Sequence, residues 1–285
     1  MPPSPAKLDN CKANSQKYIK NQFITRAERI SGMKQVKSAV YNNKYRILAV
    51  VFWITVWQSA SMLISKEMLL ASPFAVIKAL GFLTGKGVFW LSIFNSFLKI
   101  LMGFLLAIIL GILLAVLSYK MLILKEIISP LMKIIQATPV ASFIILALLW
   151  VESKNLSILC SFLMVIPVIY VNVLQGIVGT DPKLKEMAYV FQITSFKKVR
   201  YIYLPAVMPY FVSASTVGLG LCWKAGIAAE VIGLPKFSIG EQLYEAKIYL
   251  MTDELFAWTI VIILISVISE RLIIRLIHRV QIMLT

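Results

Sequence analysis

Residues 91–119 read LSIFNSFLKILMGFLLAIILGILLAVLSY, and Lys99 is the one charged side chain between Leu91 and Tyr119. A helix that crosses the hydrocarbon core of a bilayer needs about 20 mostly apolar residues. This run exceeds that length, and its apolar residues occupy every face, as expected of a helix surrounded by lipid and other helices. Working outward, five further runs have the same character: Ile47 to Ile64, Ile134 to Val151, Asn155 to Thr180 with Pro167 inside it, Ala206 to Trp223, and Leu255 to Arg271. The expected fold is an all-α integral membrane protein with six transmembrane helices.

Composition agrees. Of 285 residues, 59% are hydrophobic and 15% charged, against about 45–50% and about 25% in an average soluble domain. The mean hydropathy is +0.83. The net charge of +16 comes from 29 Lys and Arg against 13 Asp and Glu. These cations sit between apolar runs, not on a polar domain, so a nucleic-acid partner is not expected. Cys11, Cys160 and Cys222 are far apart in sequence and offer neither a metal spacing nor a redox pair. No cofactor, metal cluster or catalytic constellation is expected, and the chain is not read as an enzyme. Gly81-Phe-Leu-Thr-Gly85-Lys86 is one residue short of a phosphate-binding loop and has Gly87 where Ser or Thr would reach a metal.

Orientation follows from the excess of cations on the cytoplasmic side of membrane proteins. With the N-terminus inside, the tail to Arg46, the loops around Lys120–Lys133 and Lys183–Arg200, and the C-terminal arginines place 21 Lys and Arg inside. Seven fall outside, and Lys99 lies within the membrane. Acidic residues divide six to seven, so the cations alone carry the asymmetry. Both termini are expected inside, in a multi-pass protein of the cell (inner) membrane. Residues 1–46 form a basic tail. Ile19, Phe23, Ala27, Ile30 and Met33 recur at helical spacing there, as in a helix lying on the anionic leaflet, or else the tail is simply solvated. Residues 47–285 form the transmembrane domain.

The segment between the fourth and fifth runs is the most informative. Asp181-Pro182 is a helix start, with Asp as cap and Pro at the first position. Leu184, Ala188 and Phe191 then share a face. A second short helix is expected from Thr194 or Ser195, with Phe196, Val199, Tyr203 and Leu204 as its apolar stripe, ending at Leu204-Pro205. Two short amphipathic helices outside the membrane, each with an exposed apolar face, suit docking into a partner.

This segment resembles the coupling loop of ABC importer permeases of the binding-protein-dependent type. The family pattern is Glu-Ala-Ala, three residues, Gly, then about a dozen residues to Leu-Pro. Glu186, Ala188, Leu204 and Pro205 match at the family distances. Met187 replaces the first Ala, and Gln192 stands where the family places a Gly that turns the chain at positive φ. Ser72-Pro73, Phe89-Trp90, Asn95-Ser96, Thr138-Pro139, Leu149-Trp150 and the stretch from Cys222 to Gly233 resemble the nitrate, sulfonate and taurine subgroup. The resemblance covers roughly residues 70–280, with the coupling loop at 181–205.

It implies a homodimeric permease, with cytoplasmic ABC ATPase subunits docked on the coupling loops and an external solute-binding protein delivering a small anion such as a sulfonate, nitrate or taurine. The subgroup also contains importers of thiamine-precursor-like metabolites. An ion-coupled secondary transporter is a less favoured alternative, since inverted repeats and acidic residues within spans are both lacking in the sequence. Five residues are candidates for the pathway: Asn95, Lys99, Trp223, Lys224 and Glu230. Lys99 would attract an anion or extend to the outer interface. Glu230 and Lys224 form a structural pair or part of a gate. Gly111, Gly218 and Gly220, with Ala107, allow close helix approach, and span five would line the dimer axis by family analogy.

Overall fold

The computed structural model describes Tyr45, residues 48–64 and residues 69–284. Residues 1–44 and 46 of the basic tail, with the helix expected over Ile19–Met33, lie outside the described residues. Two units divide the chain, Met1–Ser65 and Lys66–Thr285. The first contains α1 (Leu48–Ile64), an apolar helix.

Every regular element among the described residues of the second unit is helical. The order is α2 (Pro73–Thr84), α3 (Gly87–Lys120), α4 (Leu122–Ala137), α5 (Val140–Ala147), α6 (Ser153–Val178), α7 (Pro182–Val190), α8 (Ser195–Lys198), α9 (Leu204–Gly233), α10 (Ile239–Ile248) and α11 (Thr252–Leu284). Three helical stretches are long and apolar enough to cross a membrane: α3, α6 and the 39-residue stretch Ser195–Gly233. A bent pair, α4 and α5, adds a fourth.

The core is α6 packed between α3 and α9. Between membrane helices close packing replaces the hydrophobic effect, so small residues mark the seams. A Cβ on Gly103 would stand 2.5 Å from the Ile158 carbonyl, and one on Gly111 would stand 2.9 Å from Ile169, both on α6. On α9, a Cβ on Gly226 would lie 2.6 Å from Ile100 of α3. Buried hydroxyls stitch the same seams: Ser161 donates to the Cys222 carbonyl at 3.0 Å, and the Tyr170 hydroxyl donates to Ser118 at 3.2 Å.

Three expectations need correction. The third apolar run is not a straight span from Ile134 to Val151. α4 begins at Leu122, and α5 leaves it at 103° after Thr138-Pro139. Pro139 has no N–H to continue α4, and the residue before a proline is driven out of the helical region, as Thr138 is at ψ 127°. Secondly, Leu204-Pro205 does not end a helix. The chain runs from α8 through a π-helical turn, Val199–Tyr203, directly into α9. Pro205 removes one ladder donor, and the wider turn just before it accommodates the missing bond. Thirdly, the fifth span continues past Trp223 to Gly233, so Trp223 and Lys224 lie inside a helix, not at its mouth.

Candidate functional site

Two constellations occupy opposite ends of the bundle. The first is the 181–205 hairpin. Asp181 caps α7 as expected, its Oδ1 accepting from the Lys183 N–H at 2.9 Å, and Pro182 stands at the first helical position. The turn after α7 is made by Gln192 at φ 48°. The Ile193 N–H reaches the Ala188 carbonyl at 3.0 Å and the Gln192 N–H reaches Tyr189 at 3.1 Å. That reciprocal pair is the motif in which a left-handed residue closes a helix end. A glutamine therefore adopts the conformation for which glycine is preferred.

Ala188 is buried, 1% exposed, whereas Leu184 and Phe191, expected beside it, are exposed. Glu186 is exposed. The hairpin presents Tyr189 (80% exposed), Phe191 (74%) and Phe196 (76%) to the surroundings. Lys183, Lys197 and Arg200 rim them, also exposed. An aromatic tip with a basic rim fits a groove that is apolar at its floor and acidic at its edge. Leu204 is half-buried at the start of α9, and Pro205 is exposed.

The second constellation is centred on Glu230, in the last turn of α9. Its carboxylate is fully buried. Oε2 accepts from the Ser96 hydroxyl of α3 at 2.7 Å and from the Gly240 N–H of α10 at 3.3 Å. Ser96 Oγ also accepts from the Ile239 N–H at 2.9 Å. One carboxylate and one hydroxyl thus hold the first turn of α10, where backbone N–H groups are unpaired and the helix dipole favours negative charge. Oε1 has no hydrogen-bond partner, nor has the buried Ser157 Oγ, although that hydroxyl and the Lys99 ammonium both interact electrostatically with the carboxylate.

The other pathway candidates fall as follows. Asn95 donates from Nδ2 to the Phe237 carbonyl at 3.1 Å, which ties α3 to the loop before α10. Phe237 itself is held at φ 55°, its N–H on Glu241 Oε2 at 2.6 Å. Lys99 is half-buried. Trp223 is buried against α11, its Nε1–H donating to Ser269 at 2.8 Å. Lys224 is exposed on the α9 surface and makes no ion pair with Glu230. Six positions apart on a helix, the two side chains point about 120° away from each other. Within this chain Glu230 is therefore partnered by Ser96 and the Gly240 N–H, not by Lys224.

The glycines also separate. Gly111 packs on Ile169 and Gly218 on Val165, both inside the bundle, whereas Gly220 faces open space. Sequence reading did not single out Gly240, and it gave Ser96 and Gly226 no role beyond their place in the subgroup resemblance. Gly240 was discoverable only through its contact, since a Cβ there would stand 2.3 Å from that of Glu230. The Gly81–Lys86 segment is a helix end, not a phosphate loop: Gly85 caps α2, and Lys86 pairs with Glu254 at 3.8 Å.

The chain matches the family described as "Binding-protein-dependent transport system inner membrane component" over residues 107–281. Among its relatives is a transport permease protein named for aliphatic sulfonates, SsuC of Escherichia coli (strain K12). It is 29% identical over 204 residues, which cover 70% of this chain and 76% of that protein. The bicarbonate transport system permease protein CmpB of Synechococcus elongatus (strain ATCC 33912 / PCC 7942 / FACHB-805) is 24% identical over 56% of this chain and 58% of its own length. The nitrate import permease protein NrtB of Leptolyngbya laminosa is 23% identical over 52% and 53%. Against several relatives the chain spans only 40–58% of their length. In fold it is similar to a chain of the MetNI methionine ABC transporter in inward-facing conformations, with TM-score 0.50 and 19% identity over 69% of this chain and 96% of that one.

Proposed function

We propose a function from one premise: this chain belongs to the binding-protein-dependent transport system inner membrane component family. It is a multi-pass membrane protein, and as a permease component it is the part of a transporter that forms the path, not the part that hydrolyses ATP. Our reading is the transmembrane subunit of an ATP-driven importer for a small anion, moved by alternating access. The relatives named for sulfonates, bicarbonate and nitrate support the anion class.

The observation that carries the reading is the hairpin 182–198. It offers an ATPase subunit exposed aromatic side chains on a rigid mount, since α8 continues without a break into α9. A push on α8 is transmitted to α9, and through it to α6 and α3, as one rigid body. In this reading Glu186 makes a polar contact to the ATPase, Ala188 lets α7 lie close on the bundle, and Gln192 sets the angle between α7 and α8. Leu204 and Pro205 form the joint to span five. Both termini and the hairpin lie in the cytoplasm. Six spans arise from α1, α3, the α4–α5 pair, α6, α9 and α11. A second copy completes the path, with Gly220 and Lys224 on the open face of α9 that the two copies would share.

The test is ATP hydrolysis by the permease co-expressed with its ATPase and binding protein in lipid, using sulfonates, nitrate and bicarbonate as candidate solutes. One solute is expected to stimulate hydrolysis. Glu186→Ala should reduce that stimulation on the order of tenfold, the range of an ordinary coupling energy, while assembly persists. Transport that follows an ion gradient, with no ATPase bound, would overturn the reading.

A further inference from the structure

A cleft of about 430 Å³ lies between α4 and the C-terminal half of α6, at the hairpin end of the bundle. Lys125, Ser129, Lys133 and Gln136 line its α4 wall, and Tyr170 and Gln175 line the α6 wall. The α4 residues are spaced four, four and three apart, which puts them on one face of the helix. Each of these six side chains can donate a hydrogen bond and no carboxylate lines the cleft; the rest of the lining, Met132, Val171, Leu174, Val178 and Gly179, is apolar. Glu126, adjacent to Lys125 in sequence, is exposed and is not part of the lining. Among the described residues, neither lysine has a carboxylate oxygen within 4.0 Å; the ion pairs there are Lys86–Glu254 and Lys154–Glu152.

Two cations share this helix wall, Lys125 half-buried and Lys133 exposed. An anion held between them would interact favourably with both. Eight residues of helix separate their Cα atoms by about 12 Å, and two lysine side chains can converge over that span. The Tyr170 hydroxyl is fixed by donating to Ser118 and lies 3.4 Å from Ser129 Oγ, so the floor of the cleft is ordered. Basic clefts between membrane helices near the cytoplasmic face are suited to anionic headgroups.

We propose that this cleft binds an oxyanion, its charge shared by Lys125 and Lys133 and its oxygens taken by Ser129, Gln136 and Gln175. The oxyanion comes from one of two sources with the same chemistry, a phospholipid headgroup or a dissolved sulfonate-like anion. The site does not depend on the ATP-driven import reading, because a lipid headgroup would be held even by a chain that moves no anion.

The test uses the full chain in nanodiscs of phosphatidylcholine, with and without phosphatidylglycerol. Retained phosphatidylglycerol is counted by native mass spectrometry, and radiolabelled sulfate and methanesulfonate are measured by equilibrium dialysis. Wild type should bind at least one of these probes. The Lys125→Gln, Lys133→Gln double variant should weaken that binding about tenfold or more, the effect of 1.4 kcal/mol. The corresponding double Arg variant and Lys78→Gln, far from the cleft in α2, should retain it. Binding of phosphatidylglycerol alone identifies the lipid source, and binding of methanesulfonate or sulfate identifies the solute source. No probe bound by wild type, equal binding by the double Gln variant, or equal loss in the Gln and Arg pairs each overturns the proposal.

Discussion

Gln192 concentrates the conflict between local preference and fold. Its φ of 48° places Cβ against the backbone in a region that costs a non-glycine residue about 1–2 kcal/mol. The turn persists because two backbone hydrogen bonds, from Ile193 and from Gln192 itself, close the end of α7 only in that geometry. Replacing Gln192 by Gly should relieve the strain, offset in part by the larger entropy glycine loses on ordering. The expected outcome is a local gain of about 1 kcal/mol, read as an approximately fivefold slower hydrogen exchange at the Ile193 amide, with global unfolding little changed. Faster exchange in the glycine variant would show that the glutamine side chain contributes something the backbone account omits. The position of this turn was legible in the sequence, because the family pattern marks it. Its geometry was not, since a glutamine carries no turn preference of its own.

At the scale of elements, the attachment of α10 is the most demanding local arrangement. Glu230 and Ser96 hold its first turn from two other helices, and Gly240 sits against the Glu230 backbone with no room for a side chain. Gly240→Ala should displace α10, because the clashing atoms are Glu230 Cβ and C and Val231 N, which cannot rotate away. A loss of about 1–3 kcal/mol is expected, the usual cost of overpacking, and is measured as a lower Tm of the purified chain. Glu230→Gln and Glu230→Ala separate hydrogen bonding from charge. Gln keeps an oxygen for Ser96 and Gly240, so it should stay within about 1 kcal/mol of wild type. Ala leaves the Ser96 hydroxyl and the Gly240 N–H buried without that acceptor, and should cost about 1–3 kcal/mol. Equal damage from Gln and Ala would mean that the charge, and not the acceptor, holds α10. Sequence reading placed Glu230 near the end of a span and weighed Lys224 as its partner. It could not see Ser96, because a serine 134 positions away in an apolar helix reads only as a tolerated small residue. The π turn before Pro205 was hidden for a related reason: proline announces a missing donor, and whether the chain breaks or widens there depends on the packing of the neighbouring helices.

At the scale of the molecule, hydropathy identified the long helices and missed the bend. α3 and α6 coincide with two of the six apolar runs within a few residues, since an apolar run of that length with at most one charge admits few other structures. The α4–α5 pair departs from its run because its amphipathic first half, with Lys125 and Lys133, continues the helix on the side that loop composition had assigned to water. The remaining whole-molecule property is orientation, and its expectation rests on the cations alone: with the N-terminus inside, 21 Lys and Arg are expected inside and seven outside. Two surface positions at opposite ends test it. Lys197 lies on α8 at the hairpin tip, and Lys236 lies in the loop between α9 and α10. In a background with Cys11, Cys160 and Cys222 replaced by Ser, Lys236→Cys should react in intact cells with a maleimide that cannot cross the membrane. Lys197→Cys should react only after permeabilisation. The reverse pattern would put the aromatic tip of the hairpin outside, away from any ATP-hydrolysing partner, and would remove the basis for reading α7 and α8 as its docking site. Reaction of both positions in intact cells would instead mean that α9 does not cross the membrane. That result would run against the length and apolarity of the Ser195–Gly233 stretch, which is long and apolar enough to cross.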